Sequence, residues 1–166
     1  PGAVLLEISE ELSRHMADTM APQGVFCVCE TLDNAAALAT IKGNGRYAAL
    51  EDVQDPGNLG TVIRTAEALG LDGLFLSSGC CDIYNPKVLR ASMGGVFRLP
   101  VRRVEGMAGT VEALQSQGLI CWACVVDADA MPVQRAGLGA GSVCLIGNEG
   151  SGLRPETVAA CRGRLT

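Results

Sequence analysis

Apolar and polar positions change their spacing along the chain, and the changes predict alternating strands and helices from residue 46 onward. Short apolar runs bounded by turn residues are typical of buried strands, whereas apolar residues three and four positions apart predict helices. The runs predict five strands, at 47–53, 74–77, 96–99, 119–126 and 142–146. Helical spacing predicts four helices, at 58–69, 86–93, 110–117 and from Pro155 onward. This alternation predicts an open α/β fold, with helices on both faces of a parallel sheet.

The first 42 residues follow a weaker pattern, which predicts a small β-α-β piece. Its predicted elements are a strand at 5–8, a helix capped by Ser9, a strand at 25–29 and an Ala-rich stretch up to residue 41. The Lys42-Gly43-Asn44-Gly45 run that follows is typical of a linker. Because so short a piece cannot bury a core of its own, we predict two parts, residues 1–42 and 43–166.

The turn between the first strand and the first helix of the second part carries informative polar residues. Asp55-Pro56-Gly57 is a turn signal, since Pro fixes φ and Gly permits positive φ. Asn58 follows the turn, and Arg64 lies on the predicted helix but off its apolar stripe. A guanidinium beside a helix N-terminus, at the carboxyl end of a strand, is well placed to hold a phosphate. Asn58 fits either a helix N-cap or a ligand contact.

A second polar loop, Gly147-Asn148-Glu149-Gly150-Ser151-Gly152-Leu153, follows the strand predicted at 142–146. Such a loop fits phosphate binding, dinucleotide binding or only a tight turn. It is not a P-loop, because no Gly-Lys-Ser/Thr follows, and it lacks the Rossmann glycine spacing. Ligands of open parallel sheets bind beyond the carboxyl ends of the strands. We therefore predict that this loop and the loop at Asn58 converge on one site.

Together the two segments resemble the SpoU (TrmH-type) RNA 2′-O-ribose methyltransferases of the SPOUT superfamily. Asp-Pro-Gly-Asn-Leu-Gly-Thr, followed by Arg-Thr-Ala, is similar to that family's first motif, and Ile-Gly-Asn-Glu-Gly-Ser-Gly-Leu is similar to its second. The resemblance covers roughly residues 46–166, and the third motif would follow Thr166. Residues 1–42, through the run DTMAPQGV, resemble the C-terminal part of the ribosomal-protein-like RNA substrate-binding domain that often precedes the SpoU domain.

The resemblance implies transfer of a methyl group from S-adenosylmethionine to a ribose 2′-hydroxyl of RNA, with ribosomal RNA preferred to transfer RNA. It also implies a trefoil knot near the C-terminus and a homodimer. The catalytic residues that it implies are Asn58, Arg64 and Glu149. The implied cofactor-binding residues are Leu145, Ile146, Gly147, Asn148, Gly150 and Leu153. We predict RNA contacts from Arg64, Asn85 and Arg90.

The overall charge of −5 disfavours nucleic acid as a partner, but its distribution changes the picture. Residues 1–84 hold four basic residues against twelve acids, whereas residues 85–166 hold nine against six. Five basic residues fall within a short span: Lys87, Arg90, Arg98, Arg102 and Arg103. This span fits either a solvated surface or a local phosphate-binding patch.

Eight cysteines invite a disulfide or zinc interpretation. Cys121 and Cys124 have C-x-x-C spacing, but on a strand their sulfurs would point to opposite faces. No second such pair exists, and His15 is the only histidine. We therefore expect reduced thiols, no bound metal and a cytoplasmic protein. No run of about 18 apolar residues exists, so we expect no membrane partner.

Two other functions stay open at the level of sequence. A non-catalytic RNA-binding module on the same scaffold would bind RNA without transferring a methyl group. A flavodoxin-type domain would instead bind a flavin nucleotide. The presence of Asn58, Arg64 and Glu149 together favours the enzyme.

Overall fold

The computed structural model describes residues 2–17, 19–31 and 40–166, and the chain divides into two units, Pro1–Thr31 and Leu32–Thr166. In the first unit, helix α1 spans Glu10–Met16, and the Ser9 hydroxyl accepts a hydrogen bond from the Leu12 N–H at 3.2 Å. The predicted capped helix is thus confirmed.

The strands predicted at 5–8 and 25–29 are wrong. Both segments are mostly exposed, and no described strand pairs with either of them. Apolar residues alone do not make a strand, because the backbone groups of a strand need a partner. Most of the Ala-rich stretch predicted up to residue 41 lies outside the described residues.

The second unit is built on six parallel strands, which lie in the order β3-β2-β1-β5-β4-β6. Its elements in chain order are β1 (Arg46–Leu50), α2 (Pro56–Ala68), β2 (Gly73–Ser77), α3 (Pro86–Ala91), β3 (Val101–Val104), α4 (Met107–Ser116), β4 (Ile120–Cys124), β5 (Ser142–Ile146), α5 (Pro155–Ala160) and β6 (Gly163–Leu165). The described part of this unit also contains two short 3₁₀ turns, Gly95–Phe97 and Val133–Arg135. The predicted open parallel α/β sheet is confirmed.

Two apolar layers sandwich the centre of the sheet. Tyr47 and Ala49 of β1 face a core that includes Val111 of α4, whereas Ala48 and Leu50 face a core that α2 and α3 cover. Since both faces of β1 are buried, its apolar run is continuous, as parallel sheets require. On β4 and β5 only alternate residues are fully buried.

The strand predicted at 96–99 is wrong, because the chain there forms the 3₁₀ turn Gly95–Phe97. The strand of this region is β3, which begins just after Pro100 and lies at one edge of the sheet. Only its first residue, Val101, is fully buried, so no apolar run marks it. Strand β6, at the opposite edge, has three residues with Arg164 in the middle, and sequence reasoning missed it for the same reason.

Local residues set the helix boundaries. Gly70, at φ +68°, follows the end of α2, and Asn85 caps α3 by accepting the Lys87 N–H at 2.9 Å. Helix α2 starts at Pro56, because the Asp55 carboxylate accepts the Asn58 N–H at 2.8 Å. Asp55 is therefore the N-cap, and the helix-cap interpretation of Asn58 is wrong.

Strand β6 has hydrogen-bonded neighbours on both sides. On one side it pairs with β4, and the Val125 N–H donates to the Leu165 carbonyl at 2.8 Å. On the other side the Met131 N–H donates to the Arg164 carbonyl at 3.0 Å, and the Thr166 N–H donates to the Met131 carbonyl at 3.0 Å. After β4 the chain therefore lies along one side of β6 at Val125 and along the opposite side of β6 at Met131.

The eight cysteines are free thiols. Cys121 lies in the α4-side core, where burial raises its pKa to about 12, whereas Cys124 adjoins Cys144 on the opposite face. The neighbouring Cys124 thiol lowers the pKa of the Cys144 thiol through a side-chain hydrogen bond. Within the described residues, no three potential ligand side chains are grouped to hold a metal ion. None of the described helices has the length and apolar character needed to cross a bilayer.

Candidate active site at the carboxyl ends of the central strands

The two polar loops start side by side because their strands are neighbours. Strands β1 and β5 pair in parallel, with Leu50 opposite Ile146 at their carboxyl ends. Directly beyond, the Glu51 N–H donates to the Ile146 carbonyl at 2.9 Å. The predicted convergence of the two loops is therefore a consequence of the strand order.

Glu149 joins the two loops. Its Oε1 accepts the Asn58 side-chain amide at 3.0 Å and the Asp55 N–H at 3.4 Å. The hydrogen bond from Asn58 holds the pKa of the Glu149 carboxyl below its ordinary value. Asn58 and Glu149, two of the three residues predicted as catalytic, thus bind each other directly.

The loop after β5 is a compact turn with a fixed shape. Asn148 and Gly152 exchange two backbone hydrogen bonds, at 3.0 and 2.9 Å. The Asn148 Oδ1 also accepts the N–H groups of Gly150 and Ser151, at 2.9 and 3.0 Å. A Cβ on Gly147 would lie 2.1 Å from the Gly152 carbonyl carbon, so only glycine fits there. The Asn148 side chain therefore shapes the loop.

A cleft of about 690 Å³ opens beside this loop, a volume typical of small-molecule sites. Its apolar lining residues include Val125, Val126, Val133, Ile146 and Leu165. Five of the residues predicted to bind the cofactor line it: Ile146, Gly147, Asn148, Gly150 and Leu153. The sixth, Leu145, lies in the core beneath it with no exposed surface.

Arg64 lies on the exposed side of α2 and takes no part in the Asn58–Glu149 contact. Its backbone packs near the 3₁₀ turn, where a Cβ on Gly95 would lie 3.5 Å from the Arg64 Cα. Within the described part of the chain, its guanidinium has no hydrogen-bond or ion-pair partner. Among the described residues of one chain, the structure thus brings Asn58 and Glu149 together but leaves Arg64 without a contact to either.

The residues predicted to contact RNA have different surroundings. The Asn85 side chain is half-buried and caps α3, whereas Arg90 is exposed on the same helix. Arg98 and Arg103, from the basic span, bind groups within the chain. Arg98 binds Glu67 at 2.8 Å, and Arg103 donates to the carbonyls of Cys80 and Cys81, at 3.2 and 2.7 Å.

A further polar network, which sequence reasoning missed, lies behind the two loops. It consists of Glu51, Asp52, Ser77, Arg154 and Thr157, joined by side-chain hydrogen bonds. One sequence signal was available: two adjacent acids, Glu51 and Asp52, directly follow a buried strand. Arg154 and Thr157 are about a hundred residues away from these acids, so no local pattern connects them.

The protein has an open parallel sheet, a Gly-rich loop and a cleft beyond the carboxyl ends of its strands. This arrangement is typical of α/β domains that bind nucleotide-like ligands. Residues 45–166 match the profile of the SpoU rRNA Methylase family, and the chain belongs to that family.

Relatives and solved structures agree with this assignment. The chain is 34% identical over 146 residues to the 23S rRNA (guanosine(2553)-2'-O)-methyltransferase RlmP of Bacillus subtilis, covering 88% of this chain and 56% of that protein. It resembles the AdoMet-bound rRNA methyltransferase of Sinorhizobium meliloti, with a TM-score of 0.68 and 31% identity over 75% of this chain and 47% of that one. The fold is also that of AviRb from Streptomyces viridochromogenes, with a TM-score of 0.77 and 22% identity over 97% and 63% of the two chains. The chain spans about half the length of the curated relatives that it matches.

Proposed function

We propose that residues 43–166 form an S-adenosylmethionine-dependent methyltransferase domain that methylates a ribose 2′-hydroxyl of RNA, with ribosomal RNA as the preferred substrate. The observation that carries the proposal is the Asn58–Glu149 contact beside a cleft of cofactor size. We assign residues 1–42 to the C-terminal part of an RNA substrate-binding domain. We also propose that the protein is cytoplasmic, because free thiols are typical of that reducing compartment.

The cleft fits S-adenosylmethionine in size and chemistry. Its apolar wall suits an adenine ring, and the backbone of the 147–153 loop offers groups that can bind the polar parts. Bound S-adenosylmethionine supplies an electrophilic methyl group on its sulfonium sulfur. The residues of the chain then have to align the ribose 2′-oxygen with the methyl group, on the side opposite the sulfur. They also have to favour loss of the proton of the 2′-hydroxyl.

We assign Arg64 a positioning role on the RNA. A guanidinium does not act as a base at neutral pH, because its pKa lies above about 12. Its planar fork can instead grip the phosphate next to the target ribose and stabilise the forming alkoxide. The proton of the hydroxyl would pass to that phosphate or to a neighbouring group. An exposed Arg64 that has no partner among the described residues is consistent with this role.

We further propose that the protein is a homodimer whose C-terminal region ties a trefoil knot. Support for the knot comes from β6, which is bonded on one side to β4 and on the other to Met131. In a dimer, Arg64 of one protomer and the 147–153 loop of its partner can contribute to one site. This arrangement would account for the absence of an Arg64–Glu149 contact within the described residues of one chain.

The direct test is mass-spectrometric mapping of ribose methylation in ribosomal and transfer RNA from cells with and without the gene. We expect one ribosomal RNA nucleotide to lose its 2′-O-methyl group when the gene is deleted. Loss from transfer RNA would support the tRNA alternative. RNA binding without any lost methyl group would instead support the non-catalytic module.

Arg64→Lys tests the assigned role, because it keeps the charge but removes the fork. We expect methyl transfer to fall about 100-fold, as when one preorganised donor is removed from an active site, while S-adenosylhomocysteine still binds. The matched control is Arg46→Lys, since Arg46 lies at the amino end of β1 and donates to the Gly70 carbonyl. Near-normal turnover of Arg64→Lys would overturn the bidentate grip.

A ligand screen separates the enzyme from a flavodoxin-type domain. We expect S-adenosylhomocysteine to raise the melting temperature and flavin mononucleotide to leave it unchanged. Stabilisation by the flavin alone would contradict the proposed function.

A further inference from the structure

The carboxylate of Glu51 is buried, with only 2% of the residue exposed, and it accepts hydrogen bonds from two neutral groups. Its Oε2 accepts the Arg154 N–H at 2.9 Å, and its Oε1 accepts the Thr157 hydroxyl at 2.7 Å. Both partners belong to the start of α5, directly after the 147–153 loop. Glu51 thus fixes the point where that loop ends. Buried charge is costly unless it is hydrogen-bonded in this way.

Asp52 holds the same loop by a different set of contacts. Its backbone has φ +57°, a region that few non-glycine residues adopt. Its carboxylate binds the Arg154 guanidinium through Nε at 3.0 Å and Nη2 at 2.7 Å. The Ser77 hydroxyl donates to the other carboxylate oxygen at 2.9 Å. Gly79 leaves room for that oxygen, because a Cβ on Gly79 would lie 2.0 Å from it.

The backbone of Asp52 also reaches the beginning of the loop. Its carbonyl accepts the Asn148 side-chain amide at 2.8 Å, while its carboxylate holds Arg154 just after the loop ends. Two adjacent residues at the end of β1 therefore fasten both ends of the loop that lines the cleft. The backbone conformation of Asp52 points its carbonyl and its side chain to these two places at once.

We propose that Glu51 and Asp52 are positioning residues for the cofactor: they hold the 147–153 loop in the shape that receives S-adenosylmethionine. This inference rests on the proposed function and adds the residues that preorganise its site. Neither acid lines the cleft. Asp52 therefore acts through Asn148 and Arg154, and Glu51 acts through the Arg154 N–H and the Thr157 hydroxyl.

The test measures the affinity of the full-length protein for S-adenosylhomocysteine by isothermal titration calorimetry. Asp52→Asn is the informative variant, because Asn adopts positive φ readily and the change removes the charge without adding backbone strain. Arg154→Gln removes the other partner from an exposed position. We expect each variant to raise Kd about tenfold, the effect of losing one charge-assisted hydrogen bond. We expect KM for S-adenosylmethionine to rise similarly, with kcat at saturation changing less.

The double variant Asp52→Asn/Arg154→Gln tests the pair itself. If the two residues act through each other, the double variant binds no more weakly than either single variant. Asp72→Asn is the matched control, because Asp72 is also a part-buried acid in an ion pair, with Lys42 at 2.9 Å. It lies at the amino ends of the strands, so we expect it to lower stability without changing Kd.

A purely structural role for Asp52 would lower the melting temperature and leave Kd and KM unchanged, and that result would overturn the inference. Additive losses in the double variant would overturn it as well. Glu51→Gln extends the test to the buried acid, and the exposed Arg154→Gln variant keeps the test decisive if Glu51→Gln does not fold. Wild-type protein that binds no S-adenosylhomocysteine would overturn the proposed function and this inference with it.

Discussion

The side-chain amide of Asn58 donates to the Glu149 carboxylate at 3.0 Å, although 91 residues separate them in sequence. This bond joins the first turn of α2 to the loop after β5. It keeps the carboxylate charged, since it holds the pKa of Glu149 below its ordinary value. Any ligand that enters the cleft therefore meets two loops that are already connected.

Replacing Asn58 by Asp should place two carboxylates against each other. We expect the free energy of unfolding at pH 7 to fall by about 0.5–1 kcal/mol, a small value because both groups are exposed. The loss requires both groups to be ionised, so it should shrink as the pH falls through their pKa values. Urea unfolding at pH 7 and pH 4 measures it. Glu149→Gln in the Asn58→Asp background should restore stability at pH 7, and failure to do so would contradict the pairing.

Two helical glycines should respond to alanine with opposite signs. Gly60, on α2, faces α3, and a Cβ there would lie 2.6 Å from the Ala91 Cβ and 2.8 Å from the Val88 carbonyl oxygen. Gly109, on α4, has nothing within 4 Å of such a Cβ. We expect Gly60→Ala to destabilise by about 1–3 kcal/mol through overpacking. Gly109→Ala should stabilise by up to about 1 kcal/mol through helix propensity. Chemical denaturation of both variants that gave the same sign would refute this account.

Gly147→Ala should distort the cofactor loop, because the new Cβ would collide with the backbone of Gly152. We expect the thermal shift produced by S-adenosylhomocysteine to disappear while the far-UV circular dichroism spectrum stays that of a folded protein. Gly150→Ala is the control for fold and stability, since a Cβ there meets its nearest atom, on Asn148, at 3.6 Å. An undiminished shift in Gly147→Ala would show that the loop adapts.

Asp72 should make stability depend on pH in the acid range. Its carboxylate accepts the Arg46 N–H and the Lys42 ammonium, both at 2.9 Å, and these bonds lower its pKa. A lowered folded-state pKa stabilises the protein above the unfolded-state value, and the stabilisation is lost as the pH falls through the folded-state value. Asp72→Asn should therefore be less stable than wild type at pH 7, and the difference should close in acid, at a pH below the ordinary aspartate value of 3.8. A constant difference in urea unfolding at both pH values would contradict this assignment.

The parts of the site that could be predicted are those where residues close together in sequence determine the local structure. The turn at Asp55-Pro56-Gly57 and the glycines after β5 mark chain reversals, and parallel strands place such reversals at one edge of a sheet. Asn58 and Glu149 could therefore be expected near each other before any coordinates were available. The sequence left Asn58 open as the cap of α2 because Asn58 and Asp55 are both favourable N-cap residues, and the Pro at N1 decides in favour of Asp55.

The rest depends on partners that are distant in sequence. Strands β3 and β6 form the sheet edges, and neither carries the apolar run that marked the central strands. Asp52 and Arg154 lie 102 residues apart, so the sequence around either residue does not predict the ion pair. Arg64, by contrast, could be recognised from the sequence, because it is a cation that lies off the apolar stripe of its helix. Its proposed partner is a phosphate of the RNA, which is another molecule.

The double pairing of β6 has a consequence during synthesis on the ribosome. Until residues 163–166 emerge, the outer side of β4 and the returning segment at Met131 have no backbone partners in this region. An open strand edge of that kind invites pairing with other chains. A polypeptide interrupted just before β6 should therefore aggregate readily, although almost every residue of its core has already been made.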